Sequence, residues 1–260
     1  MWADCPIQEI FEDPSMGYYD FDDFRDFDGT VSTNVGRYIS STGGYRSYED
    51  TGASIAMVAT EETGVIRLNT GAVTDNLEAC IGAGSGNAGK AKIVASATPP
   101  STGKKLWFET RIRANQVSGQ NIFVGLVEAG RIVTDGLFSD ADVGQSHSKV
   151  GFRILAGDAD GMDAFYHKNG GSEVVVKEEA KVIAAGSWYR FGFKFDPRDS
   201  TLRYYVDGVE AASVVIGSTA NPISTFPDSV SMNWALNIKN SGGAVQSTLD
   251  CDWRAFAQLR

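Results

Sequence analysis

Between Ser187 and Ala211 apolar and polar side chains alternate through three short runs, and that alternation leaves little choice of fold. Tyr189, Phe191, Phe193 and Phe195 interleave with Trp188, Arg190, Gly192 and Lys194, the period-two pattern of a strand with one buried face. Asp196-Pro197-Arg198-Asp199-Ser200 interrupts it with turn chemistry, because proline presets φ and Asp or Ser bonds back to nearby amides. Leu202, Tyr204 and Val206 then alternate with Thr201, Arg203 and Tyr205 until Asp207-Gly208, a strong two-residue hairpin signal. Val209–Val215 resumes as a third strand. Three strands joined by two tight turns predict an antiparallel meander, and hence an all-β chain.

The order Trp-Tyr-x-Phe-x-Phe, Asp-Pro, Leu-x-Tyr-Tyr-Val-Asp-Gly-Val-Glu resembles the back half of a concanavalin A-like, laminin-G-like jelly-roll domain. Two further pieces fit in order: Leu106–Ile112 with Phe123-Val124-Gly125-Leu126, and Leu249-Asp250-Cys251-Asp252-Trp253. The resemblance covers Leu106 to Leu259 and implies an antiparallel β-sandwich, a jelly roll of concanavalin A-like lectin/glucanase type. The acidic aromatic start and the FVGL run also resemble jelly-roll proteins encoded among the structural genes of tailed bacteriophages. That likeness implies a virion structural protein, a capsid decoration or head-associated component. Its expected partners are the major capsid protein or another virion protein, with the chain forming a homo-oligomer in a particle assembled in the host cytoplasm. The alternative is a glycan-binding module of a tail fibre, whose partner is a surface glycan.

A length of 260 residues suits one all-β domain, and 29 Gly against 7 Pro suggests turns rather than a linker. A net charge of −10 makes nucleic acid and anionic membrane poor partners. Residues 1–14 show neither a basic nor an apolar signal region, and Cys5, Cys80 and Cys251 are too few and too far apart for a disulfide framework. The expectation is three reduced thiols in a chain that folds in a reducing cytoplasm.

Residues 1–35 form an acidic aromatic N-terminal arm or first strand, and residues 36–260 the jelly roll. Between Glu9 and Asp28 eight carboxylates face one base, Arg25, with six aromatics interleaved. Tyr18–Phe27 reads as an edge strand or short helical turn on the sandwich. Met1–Pro14 reads as an extended arm docking on a neighbouring subunit, with Trp2, Phe11, Tyr18 and Tyr19 as partner-binding anchors. Further on, Ala53–Ala59, Val65–Leu68, Leu77–Gly82 and Lys92–Ala97 read as strands, the glycine-rich Gly82–Gly89 as a hairpin loop. Leu106–Ala114 directs Leu106, Phe108, Thr110 and Ile112 one way and Trp107, Glu109, Arg111 and Arg113 the other, with Ile122–Glu128 expected to pair with it. Ala129–Ser148 is the least strand-like region and the one place for a short helix; it is expected at the rim. Lys149–Leu155, Ala164–Lys168, Glu173–Lys177, Met232–Ile238 and Thr248–Leu259 complete the strands.

For chemistry, a glucanase of laminarinase type implies carboxylates spaced E-x-D-x-x-E on one strand. Two and five residues after Glu109 stand Arg111 and Ala114, so no catalytic residue is assigned and a non-enzymatic protein is expected. His147 and His167 lie in no nucleophile motif. Asp158, Asp160 and Asp163, with Asp140 and Asp142, are oxygen donors of the kind that hold Ca²⁺ at a lectin rim, although Asp-Gly stretches also simply form turns. Trp107, Trp188 and Tyr205 are the glycan-stacking candidates, with Trp234 beside them, and the same rings serve equally as core.

Overall fold

The computed structural model describes residues 1–25, 37–39, 45–61, 64–71, 76–83, 89–133, 136–139, 144–157, 161–241 and 246–260. A 3-10 turn at Trp2–Asp4 and a short helix α1 (Ile7–Glu12) precede the strands. These are β1 (Gly17–Asp22), β2 (Arg37–Ile39), β3 (Tyr45–Glu49), β4 (Ser54–Met57), β5 (Ile66–Asn69), β6 (Glu78–Ala83), β7 (Ala91–Lys92), β8 (Leu106–Ala114) and β9 (Gln120–Glu128). They continue as β10 (Lys149–Ile154), β11 (Gly161–His167), β12 (Glu173–Val182), β13 (Tyr189–Asp196), β14 (Thr201–Val206), β15 (Val209–Val215), β16 (Ser231–Asn240) and β17 (Thr248–Leu259).

Among the described residues the strands form two antiparallel sheets. One has eight strands, in the order β15-β14-β13-β8-β17-β5-β4, with β1 beside the second half of β17. The other has nine, in the order β12-β11-β10-β9-β16-β6-β3-β2, with β7 beside β16. The predicted meander is β13-β14-β15. Asp207 and Gly208 have φ of 52° and 84°, the double left-handed conformation of the two-residue turn that matches strand twist.

Alternation makes the core. Phe108, Ile112, Phe191, Phe193, Leu202 and Tyr204 point inward from the eight-stranded sheet, and Val124, Leu126, Val150, Phe152, Tyr166 and Leu236 from the nine-stranded one. Phe152 meets Phe191 at 5.0 Å and Tyr204 edge-on at 5.4 Å. The Tyr204 hydroxyl donates to the Phe165 carbonyl at 2.7 Å, tying the layers together. Each fully buried large apolar side chain contributes roughly 1.5–3 kcal/mol.

Several expectations need correction. Ile122–Glu128 does not pair with Leu106–Ala114: β9 lies between β10 and β16, whereas β8 lies between β13 and β17. The apolar faces of β8 and β9 meet across the core, which a hairpin within one sheet would prevent. Of Lys92–Ala97 only Lys92 is strand, as the second residue of the two-residue β7, because the Ala95 and Ser96 amides donate to Asp228 Oδ1 and Ser200 Oγ instead of to a strand. Ala129–Ser148 holds no helix among its described residues. Instead of staying at a rim it lays Ile132, Leu137 and Phe138 over Tyr48, Cys80, Phe123 and Phe165 on the outer face of the nine-stranded sheet.

Residues 1–16 are not extended. They fold back on the chain's own eight-stranded sheet, Trp2 Nε1 donating to Glu109 at 2.6 Å and Asp4 meeting Lys105 and Lys194 at 3.1 and 3.5 Å. Beyond them, Gly17–Asp22 is strand rather than a helical turn and pairs with β17. Phe27 lies outside the described residues.

Candidate cleft on the nine-stranded sheet

The outer face of the nine-stranded sheet is assembled by register. Lys149, Gly151 and Arg153 project from β10; Asp163, Phe165 and His167 from β11; Glu173 and Val175 from β12. The strand pairing sets Arg153 opposite Asp163, Phe165 opposite Val175 and His167 opposite Glu173. Toward the middle of the sheet small residues line up across the strands as Gly82, Ala235, Gly125 and Gly151. A Cβ on Gly125 or Gly151 would stand 2.2 Å from a backbone oxygen of the facing strand. A Cβ on Gly82 would meet Ile132 at 2.8 Å, so this glycine is the seat on which the 129–148 segment rests.

At the β10–β12 end the face opens into a cleft of about 810 Å³, lined by Arg153, Leu155, Asp163, Val175, Lys177, Glu178 and Glu179 with Gly157 and Gly161. Arg153 is its centre. Its Nη2 lies 2.7 Å from Glu173 Oε1 and 3.7 Å from Asp163 Oδ2, and its guanidinium stacks 5.3 Å from the Phe165 ring centroid. Asp163 also accepts the Glu179 amide at 2.9 Å, where β12 bulges against β11 and Glu179 adopts φ of 46°. Leu155 and Val175 add apolar surface.

Behind the cleft, Lys149 is buried, its ammonium donating to the Leu137 carbonyl at 3.2 Å and lying 5.9 Å from the Phe138 ring. Burial pulls its pKa down to about 8, Glu173 opposing that pull and Arg153 adding to it. His167 Nε2 meets the Gly171 carbonyl at 3.0 Å. Burial holds both His147 and His167 below the ordinary imidazole value.

Most of the ligand residues suggested by sequence lie elsewhere. Trp107 and Tyr205 project from the outer face of the other sheet and are buried there, Trp107 being 1% exposed. Asp4 accepts from the Trp107 indole at 3.2 Å, and Lys105 and Lys194 stand over the Trp107 and Tyr205 rings. Trp188 is half-buried between the Arg111 and Arg113 guanidinium groups, at 4.7 and 4.5 Å. Trp234 points into the sandwich against Arg254. Glu109 is buried beneath Trp2, and burial raises its carboxyl above the usual range against the opposing indole hydrogen bond. Trp2 and Tyr19 form an edge contact at 6.2 Å, Phe11 and Tyr19 another at 5.2 Å, and Tyr18 packs toward Phe256.

Asp135, Asp140, Asp142, Asp158 and Asp160 lie outside the described residues. Asp163, the remaining calcium candidate, is engaged by Arg153 and the Glu179 amide. Among the described residues no group of three or more His, Cys, Asp or Glu is arranged to hold a metal ion, and no helix is long and apolar enough to cross a membrane.

No family model matches the chain, and no curated protein matches it in sequence. Solved structures do match in fold. Peanut lectin aligns at 15% identity over 94% of this chain and 98% of its own, with a TM-score of 0.57. A protein of unknown function from Shewanella oneidensis MR-1 aligns at 15% over 94% and 87%, TM-score 0.55, and an endo-β-1,4-glucuronan lyase from Trichoderma reesei at 12% over 93% and 94%, TM-score 0.54. The chain is therefore an antiparallel β-sandwich with the jelly-roll fold shared by concanavalin A-like lectins and glucanases.

Proposed function

We propose that the protein is a non-catalytic carbohydrate-binding module that takes an uncharged sugar in the β10–β12 cleft. The observation that carries this is Arg153, fixed between Glu173 and Asp163 and backed by Phe165. Planar guanidinium and carboxylate groups held rigid beside apolar surface suit vicinal hydroxyls and the C–H face of a sugar, the usual makeup of a ligand pocket. Arg153 and Lys177 stand against Asp163, Glu173, Glu178 and Glu179, an excess of negative charge that disfavours an anionic sugar. The shared fold with peanut lectin supports the reading.

The non-catalytic part rests on what the central strands present. Outward from β9 come Asn121, Phe123, Gly125 and Val127, from β10 Lys149, Gly151 and Arg153, and from β16 Asn233, Ala235, Asn237 and Lys239. None of these is a carboxylate, and of the carboxylates at the cleft Asp163 and Glu173 are taken up by Arg153, whereas glycoside hydrolysis ordinarily needs two flanking the scissile bond.

A glycan array followed by calorimetry on the hits tests the proposal. Arg153→Met and the cleft-filling Val175→Arg should each weaken binding about 10–100-fold, the cost of one or two charge-assisted hydrogen bonds, with the melting temperature kept as the control for folding. An array without a hit, or hits indifferent to both variants, refutes the site; release of reducing sugar refutes the non-catalytic reading. A second reading, a virion structural protein, is favoured by the exposed acidic aromatic surface at residues 11–21, and absence of the chain from purified particles excludes it.

A further inference from the structure

On the sheet opposite the cleft, α1 and β1 carry an apolar surface that the fold does not use. The alternation of β1 sends Asp20 and Asp22 toward the buried Arg254 and Tyr19 and Phe21 outward. Helix α1 lies over β1 through Ile10, which is buried and would touch a Cβ placed on Gly17 at 3.2 Å. One residue along the helix, Phe11 is turned away from that contact. Phe11 is 67%, Phe21 51% and Met16 46% exposed; among the described residues no other Phe, Tyr or Trp is as open to solvent as the two phenylalanines. Ring contacts join Phe11 to Tyr19 to Trp2 on one side and Phe21 to Trp253 at 6.3 Å on the other, with Tyr19 and Phe21 two residues apart on the outer face of β1.

Three physical features select the occupant. Glu9, Glu12 and Asp13 border the rings and form no ion pair with any described residue, while Arg25, the one base in this segment, pairs with Asp23 at 2.8 Å. An acidic border on a chain of net charge −10 repels a second copy of itself and attracts a basic partner. The rings meet at 86°, 71° and 32°, so they offer knobs and notches for side chains rather than the flat platform on which successive sugars stack. The backbone beneath is already fixed by the β1–β17 ladder and the Arg254 ion pairs, which lowers the ordering cost of binding.

We infer that the outer face of α1 and β1 is a docking surface for a basic, apolar-bearing segment of another protein. It is independent of the glycan reading, since it uses the other sheet and none of the cleft residues.

The test is selection of a displayed random-peptide library against the full chain, followed by fluorescence polarisation with the enriched peptides. The enriched sequences should combine Lys or Arg with aromatic or aliphatic residues. Phe11→Ser/Phe21→Ser and, separately, Glu9→Lys/Glu12→Lys should each weaken them about tenfold or more, as loss of anchoring side chains or of charge complementarity does. Added salt should weaken them too, and Arg153→Met should not. All four substituted side chains in the test pairs belong to this outer segment, so folding is preserved and checked by the melting temperature. An empty selection, or peptides indifferent to both double variants, overturns the inference. So does glycan binding that Phe11→Ser/Phe21→Ser abolishes, which makes the surface a sugar platform, or a wild-type dimer in sedimentation that the same variant dissociates.

Discussion

Arg254 is 2% exposed and lies between the sheets, 4.2 Å from the Trp234 ring centroid and 5.9 Å from that of Tyr45. Its charge is met by Asp20 at 2.9 Å and Asp22 at 3.5 Å, both from β1. Nη1 has no well-directed hydrogen bond and Nε has no acceptor, so the buried cation is held by the two carboxylates and by the ring faces of Trp234 and Tyr45. Replacing both carboxylates in Asp20→Asn/Asp22→Asn keeps the shape of β1 but strands that cation. Removing one side of a buried pair costs about 3–5 kcal/mol; the amide oxygens that remain put this case near the lower end, about 3 kcal/mol. At roughly 2–4 °C per kcal/mol for a domain approaching this size, the melting temperature should fall by about 6–12 °C.

Arg254→Met alone should cost less, because Asp20 and Asp22 retain side-chain exposures of 19% and 20% and reach water, and Lys90 stays 3.9 Å from Asp20. The triple variant Arg254→Met/Asp20→Asn/Asp22→Asn should recover most of the loss, since an apolar side chain in place of a buried ion is commonly neutral or stabilising. Urea titration of the three proteins measures the order. If the double variant loses under about 1 kcal/mol, or the triple is no more stable than the double, Arg254 is not a charge neutralised by β1 and the reasoning is wrong.

Other perturbations probe other parts of the sandwich. Gly125→Ala or Gly151→Ala puts a methyl 2.2 Å from a facing backbone oxygen and should cost at least about 2 kcal/mol in urea titration through displacement of β9 from β10. Lys149 has a folded pKa depressed to about 8 from an ordinary 10.5. Between those values the unfolded chain holds a proton that the folded one has released, so wild-type stability should rise with pH across that window, by up to about 3 kcal/mol. Lys149→Met should remove this rise. His147 and His167 are depressed in the same sense, so both should contribute a loss of stability as pH falls through the unfolded imidazole pKa; replacing both with Gln and repeating the acid titration checks it. Asp196→Asn should cost about 1–2 kcal/mol, because Asp196 takes the Arg198 side chain and amide and a contact with Lys105 at 3.4 Å, closing the β13–β14 turn.

The parts of the fold that are legible in the sequence are those whose partner is next along the chain. β13, β14 and β15 declare themselves because the alternation and the Asp207-Gly208 turn set strand, register and neighbour together. β8 and β9 show equally good strand patterns, yet alternation does not say which sheet a strand joins. Phe123 and Val127 on the second face of β9 were the available hint that this strand is covered on both sides. The cleft was less legible still. Arg153, Asp163 and Glu173 lie on three strands and become one cluster through two registers, and Asp163 reads in the sequence as the end of an Asp-Gly turn. Trp107 and Tyr205 were correctly placed opposite the inward Phe and Leu face, but an outward aromatic tells nothing about a distant segment folding over it, as residues 1–5 do here.

The two outer faces are closed by different means, and this decides where a ligand has room. On the eight-stranded sheet the N-terminal residues cover Trp107, Glu109 and Gly192, and Asp250 is shared by Arg67 and Arg113 at 2.6 and 2.7 Å. A sugar reaching for those side chains would first have to lift the N-terminal residues off the sheet and lose the contacts they make. On the nine-stranded sheet Ile132, Leu137 and Phe138 fill the glycine-floored middle, and their dry contacts exclude solvent from β6, β16 and β9. Past the end of that cover, at β10–β12, Val175 is 36% exposed and Lys177, Glu178 and Glu179 face open space beside the buried Arg153 and Asp163. The segment that seals the middle of the sheet also reaches β10, the strand that carries Arg153. Its Leu137 carbonyl holds the Lys149 ammonium behind Glu173, so shortening 129–148 should lower both the stability of the sheet and the affinity of the cleft, whereas Val175→Arg should lower affinity alone.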